Sequence, residues 1–153
     1  MPDTSPTLRR IDADRIGPVW IREGTSDYAV FKQIFHTEEF NISTAPQIAW
    51  IRAAYDRMLA AGETPLVIDC GANIGLSALY FAQHLPAARI IGVDPARDNV
   101  ELARKNTQHN PLIEIIEAAV HDQGRSRSLV RSWHCSRRGE YFIPSLAWLD
   151  PSF

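Results

Sequence analysis

Two acids and the small residues between them are the parts of this sequence best equipped for chemistry. Asp69 is followed by Cys70, Gly71, Ala72, Asn73, Ile74 and Gly75, and a second acid, Asp94, is followed by Pro95. Gly71 permits a sharp turn and a close approach of ligand to backbone. Asn73 belongs to the few non-glycine types that tolerate a left-handed conformation, and Gly75 lets a following helix pack near the preceding strand. Acids so placed accept hydrogen bonds from the hydroxyls or cationic groups of a small molecule. Each also has a plain structural use, Asp69 as a cap of its turn and Asp94 as the start of an Asp-Pro turn. Their occurrence at two successive strand tips favours a ligand site.

The elements that must hold them follow from the apolar periodicity. Leu66 to Ile68, entered through Pro65, is a short apolar run expected of a strand covered on both faces in a parallel sheet, and it ends in Asp69. From Ile74 the period becomes helical, with Ile74, Ala78, Phe81 and Leu85 on one face until Pro86. Arg89 opens a second run, Ile90-Ile91-Gly92-Val93, which ends in Asp94. A helix follows, with Asp98 and Glu101 spaced as a capping pair and Val100, Ala103 and Asn106 on related faces, until Asn110-Pro111 breaks it. Leu112 to Val120 reads as a third strand. This alternation predicts an α/β fold with a Rossmann-like, doubly wound parallel sheet, right-handed crossovers, and a ligand beyond the carboxyl ends of the strands.

The turn selects among nucleotide-like ligands. A dinucleotide site needs Gly-x-Gly-x-x-Gly, and Asn73 stands where its second glycine would lie. That weakens a nicotinamide oxidoreductase. A P-loop needs Gly-Lys-Ser/Thr, but Gly75 is followed by Leu76 and Ser77. S-adenosylmethionine asks for amides or a helix amino terminus for its carboxylate, an acceptor for its ammonium, a carboxylate for the ribose and an apolar slot for adenine. Asp69, the Gly71 to Gly75 turn and Asp94 supply that set.

Several motifs in order carry a resemblance to a known family. Val67 to Gly75, Gly92 to Pro95, Asn99, Leu102, Asn106, Asn110 and Ile115 to Val120 resemble the FkbM-type branch of class I S-adenosylmethionine-dependent methyltransferases. So do the upstream Arg22 to Phe31 (Arg-Glu-Gly-Thr-Ser-Asp-Tyr-Ala-Val-Phe) and Phe35 to Phe40. The resemblance implies that Asp69, Gly71, Asn73 and Gly75, with Ala72 in the same turn, face the methionine part, and that Asp94 pairs with the ribose. Family members usually carry Glu where Asp94 stands, so the reach to the ribose is one carbon shorter. Ala118 and Ala119 would leave room for the adenine ring and equally suit helix packing; Glu117 would lie near that ring or in solvent. The acceptor implied is a small molecule, a hydroxyl on a sugar or secondary metabolite, giving O-methylation. No catalytic residue is assigned.

The family orders its strands 3-2-1-4-5-7-6, and no fourth strand with an acidic motif is found here. The resemblance therefore implies a sheet incomplete at its C-terminus, with an exposed edge through which copies of the chain would associate. The alternative is a non-catalytic fragment that binds the cofactor or a partner.

A chain of 153 residues, 45% hydrophobic with a formal net charge of -2, suits one core and argues against a general nucleic-acid binder. No signal-like or membrane-spanning run is found. Cys70 and Cys135 have no paired spacing, which suggests a reducing compartment, and the protein is read as cytoplasmic. Cys70 itself reads as a small buried apolar residue. The five histidines, among them His121 at the end of the third strand, show no ligand spacing, so no metal is expected. Residues 1–15 read as a mobile leader, 16–62 as a lid and helical segment, 63–124 as the cofactor-binding core and 125–153 as a basic tail. Within the second of these, Ile48, Ile51, Tyr55, Met58 and Leu59 predict a helix packed on the core, with Trp50 and Tyr55 at its edge. Arg125, Arg127, Arg131, Arg137 and Arg138 in the tail read as a solvated surface, with a phosphorylated substrate or nucleotide sugar as the sharper reading.

Overall fold

The computed structural model describes residues 6–37, 41 and 46–120. Its elements are β1 (Leu8–Ala13), β2 (Gly17–Arg22), α1 (Asp27–Phe35), α2 (Ile48–Ala60), β3 (Leu66–Cys70), α3 (Leu76–His84), β4 (Arg89–Asp94), α4 (Arg97–Thr107) and β5 (Ile113–Glu117). The last three strands form a parallel sheet in the order β3-β4-β5, with α3 and α4 as crossovers. The register sets Asp69 opposite Gly92 and Asp94 opposite Glu117. Both acids thus fall at the carboxyl rim, as the sequence predicts. The open-ended order agrees with the 3-2-1 portion of the family sheet, and the outer edge of β3 has no partner among the described residues.

The two crossovers step in the same direction, and right-handed connections then lay both helices on one face of the sheet. Val67, Asp69, Ile90, Gly92, Asp94 and Ile115 point to that face and are buried. Leu66, Ile68, Cys70, Ile91 and Val93 on the other face are only half-buried, and Ile116 is 36% exposed. The expectation of strands covered on both faces is therefore corrected for the described residues. Cys70 is likewise half-buried rather than enclosed.

An antiparallel hairpin, β1 with β2, and α1 cover α3 from outside. Val19, Ile21, Phe31 and Ile34 join Ile74, Leu76, Leu79 and Tyr80 in one cluster, so every residue from Leu76 to Phe81 is buried. Leu8–Ala13 was expected within a leader and is instead a strand. Arg9, Arg10 and Asp12 hid it, because a hairpin edge is held by its backbone ladder and needs few apolar side chains. Helix α2 departs from expectation in the other direction. Only Ile51 is buried, while Trp50 is 63% and Leu59 40% exposed, so the stripe covers little of the described core. Tyr55 anchors the helix, its hydroxyl accepting the Ala87 N–H at 2.9 Å. No described helix is long and apolar enough to cross a membrane.

Candidate functional site

The chain passes from β3 to α3 through Gly71, Asn73 and Gly75, all with positive φ, at 85°, 48° and 83°. Three left-handed residues in five curl the backbone tightly, which is why two of them are glycine and the third asparagine. Gly71 and Ala72 both donate their N–H to the Val93 carbonyl, at 2.8 and 3.0 Å, which fastens the turn to the tip of β4. A Cβ on Gly71 would meet nothing within 4 Å, so the space above it is open. At Gly75 a Cβ would stand 3.1 Å from Thr107 and 3.2 Å from Ala103, so this glycine lets α4 close against the turn.

Asp69 lies beneath the turn and is 1% exposed. Its Oδ2 accepts the Ser77 hydroxyl at 2.6 Å, whereas Oδ1 is buried with no partner. Burial pushes the carboxyl up to about 6; the Ser77 hydrogen bond opposes this and the nearby charge of Asp94 adds to it. A buried carboxylate oxygen without a donor is costly, and such orphans concentrate where a ligand completes them.

Asp94 has two structural contacts, one with its own turn and one across the rim. Its Oδ2 accepts the Asn73 N–H at 2.9 Å, and its Oδ1 accepts the Ala96 N–H at 2.9 Å and the Asn99 amide at 3.2 Å. It therefore initiates its own turn, and it also grips the glycine turn across the rim. The short side chain draws the carboxylate onto these backbone amides and leaves Oδ2 with room for one further donor. The expected capping pair of Asp98 and Glu101 is not formed. Ala96 holds the cap position without a side-chain bond, Asp98 lies in the first turn of α4, and Glu101 accepts from Arg97 Nε at 2.9 Å.

All seven residues singled out from sequence therefore lie along one rim. Asp69, Gly71, Ala72, Asn73 and Gly75 form the strand tip and turn, Asp94 touches Asn73, and Ala118 donates its N–H to the Asp94 carbonyl at 3.1 Å. Ala118, Ala119 and Glu117 are exposed there. His121, Cys135 and the arginine-rich tail lie outside the described residues. A groove of about 840 Å³ between β1, α1 and the far end of α3, lined by Arg9, Tyr28, Phe35, Tyr80 and His84 among others, contains none of the seven.

Sequence reasoning passed over Ser77 as a partner of Asp69, although its position in the first turn of the helix after Gly75 was the available signal. It also gave no role to Asn106. That side chain is fully buried, accepting the Trp20 N–H at 2.8 Å and donating to the Trp20 and Ile74 carbonyls at 3.0 and 2.9 Å. An amide on the same face as Val100 and Ala103 was the clue.

A family model described as a methyltransferase domain matches residues 68–128, from β3 past the last described strand. The matched stretch is similar to that domain, and its parallel sheet with two helical crossovers is Rossmann-like. The chain is 26% identical over 112 residues to Methyltransferase sdnD of Sordaria araneosa, covering 73% of this chain and 37% of that protein. It is 32% identical over 73 residues to the release factor glutamine methyltransferase of Mycobacterium leprae (strain TN), covering 48% of this chain and 23% of that protein. The chain thus spans well under half the length of either relative. A crystal structure of a methyltransferase from Geobacter sulfurreducens aligns at 30% identity over 65% of this chain and 52% of that one, with a TM-score of 0.32. Ligands of open α/β sheets bind beyond the carboxyl ends of the strands, which is where the rim described above lies.

Proposed function

We propose that this chain is the cofactor-binding part of an S-adenosylmethionine-dependent methyltransferase of the FkbM type, acting on a hydroxyl of a sugar or secondary metabolite. The observation that carries the reading is the buried, unpartnered Oδ1 of Asp69 beneath an open glycine turn. An acceptor oxygen in that position suits an ammonium group, and the free valence of Asp94 Oδ2 suits a ribose hydroxyl. Bound S-adenosylmethionine supplies an activated methyl group. The residues described here bind and orient it: Asp69 and the turn hold the amino-acid end, Asp94 holds the ribose, and Ala118 leaves space beside it. Holding the methyl in line with an acceptor at near-attack distance is the main contribution such a protein makes. An alcohol acceptor also benefits from a general base, worth roughly 10²- to 10⁴-fold. The FkbM reading draws support from Arg22 to Phe31, and the hydroxyl acceptor rests on that same resemblance.

Calorimetric titration of the chain with S-adenosylhomocysteine and with NADH tests the cofactor reading. Binding of the first and not the second is expected, and the reverse would overturn it. Transfer of labelled methyl to a panel of hydroxylated sugars and metabolites, analysed for O-methyl products, tests the acceptor class; labelling at nitrogen or carbon alone would reject it.

A further inference from the structure

The segment Arg22 to Asp27 has no part in the site described so far, yet Arg22 is linked to Asp94 through Asn99. Arg22 binds Asp27 through three donors, its backbone N–H at 2.9 Å, Nε at 2.8 Å and Nη2 at 3.0 Å. Thr25 closes the loop by donating its hydroxyl to the Arg22 carbonyl at 2.9 Å and accepting the Asp27 N–H at 3.2 Å. Asp27 is 1% exposed, so this pair is built into the core. Arg22 Nη2 then donates to Asn99 Oδ1 at 2.9 Å, and Asn99 Nδ2 donates to Asp94 Oδ1 at 3.2 Å.

We infer that Arg22 and Asn99 form a relay that positions the Asp94 carboxylate for the ribose, with Arg22 setting which end of the Asn99 amide faces that acid. This rests on the cofactor reading above and extends it to the N-terminal hairpin. The chemistry leaves Asn99 one orientation. A guanidinium carries donors only, so the amide oxygen must face Arg22 and the amide nitrogen must face Asp94. Two donors, from Ala96 and Asn99, then fill Oδ1 and turn Oδ2 toward Asn73 and the rim. Arg22 is itself held by Asp27 at both ends of its fork, so the relay is rigid from the hairpin to the rim. A lysine would not serve, because a compact ammonium cannot span Asp27 and Asn99 in this forked geometry.

The test compares S-adenosylhomocysteine with its 2′-deoxy analogue by calorimetry on the whole chain, for wild type, Asn99→Asp and Arg22→Lys. Asn99→Asp keeps the volume and the bond to Arg22, and an acid in the first turn of α4 suits the helix dipole. It replaces the donor facing Asp94 with an acceptor. Wild type should prefer the ribose ligand by about tenfold or more, the worth of a hydrogen bond to a charged group. Both variants should lose most of that preference, with melting temperatures that show a folded chain. If Arg22→Lys fails to fold, Asn99→Asp decides alone. Retention of the preference in Asn99→Asp would overturn the relay, as would an equal loss of affinity for both ligands, which marks a merely structural role. A wild-type chain that binds both ligands equally removes Asp94 from the ribose and the relay with it. Binding of neither ligand overturns the cofactor reading itself, which separates that failure from failure of the relay alone.

Discussion

Replacing Asp69 by Asn should change how stability depends on pH, and the size of the change follows from the burial of this acid. Its carboxyl titrates at about 6 in the folded chain against 3.8 for an ordinary aspartate. Each unit of that difference is worth 1.36 kcal/mol, so the two values imply about 3 kcal/mol of linkage. The folded state holds the proton more tightly than the unfolded state. The associated stability is therefore fully present below pH 3.8 and is lost as the pH rises through about 6. Asp69→Asn keeps the shape and the hydrogen bond from Ser77 but carries no charge to desolvate. It introduces an unpartnered amide donor where Oδ1 lay, costing about 1–3 kcal/mol at every pH. Relative to wild type the variant should be weaker near pH 4 and similar or stronger near pH 8, with a swing of about 2.5 kcal/mol between the two, because pH 4 lies close to the unfolded value. Urea unfolding at both pH values measures this. The same substitution should weaken S-adenosylhomocysteine binding by at least about tenfold, because the ammonium loses its charged partner. A stability difference that is equal at pH 4 and pH 8 would refute the account of Asp69 as a buried acid awaiting a ligand donor.

Three further substitutions bear on the site and its supports. Asp94→Ala should weaken S-adenosylhomocysteine by about 1.5–3 kcal/mol in calorimetry, the range for a hydrogen bond to a charged group; unchanged affinity would remove Asp94 from the site. Gly75→Ala should destabilise the fold by about 1–3 kcal/mol in denaturant unfolding, since the residue combines φ of 83° with a Cβ only 3.1 Å from Thr107. Asn106→Ala should cost about 3 kcal/mol, because it strands the polar groups of Trp20 and the Ile74 carbonyl. Trp20 fluorescence would report loosening of the hairpin, and a variant as stable as wild type would show that this amide does not latch it.

The parallel core was legible because its signals are local. The apolar runs before Asp69 and Asp94, the turn-forming Gly71, Asn73 and Gly75, and the breaks at Pro86 and Asn110-Pro111 each mark an element by nearest-neighbour chemistry. Helix α4, expected between the Asp94-Pro95 turn and the break at Asn110-Pro111, spans Arg97–Thr107. Features that depend on distant contacts were harder to read. Strand β1 is charged along much of its length and is defined by its ladder to β2. The stripe of α2 has helical spacing, but periodicity does not reveal whether anything lies against it, and Trp50 faces solvent. At the site, the two acids were readable from their place at strand tips. The competition for Asp94 among Asn73, Ala96 and Asn99 was not, because it arises only when α4, β4 and the glycine turn come together.

The central claim is that the small molecule sits on the rim made by the β3 turn and the tip of β4. Amide NMR of the ¹⁵N-labelled chain titrated with S-adenosylhomocysteine tests it most directly. Shifts concentrated at Cys70 to Gly75, Asp94 and Ala118, with Tyr28, Tyr80 and His84 unmoved, are predicted. Shifts gathered along the groove at Tyr28, Tyr80 and His84, with the glycine turn silent, would contradict it.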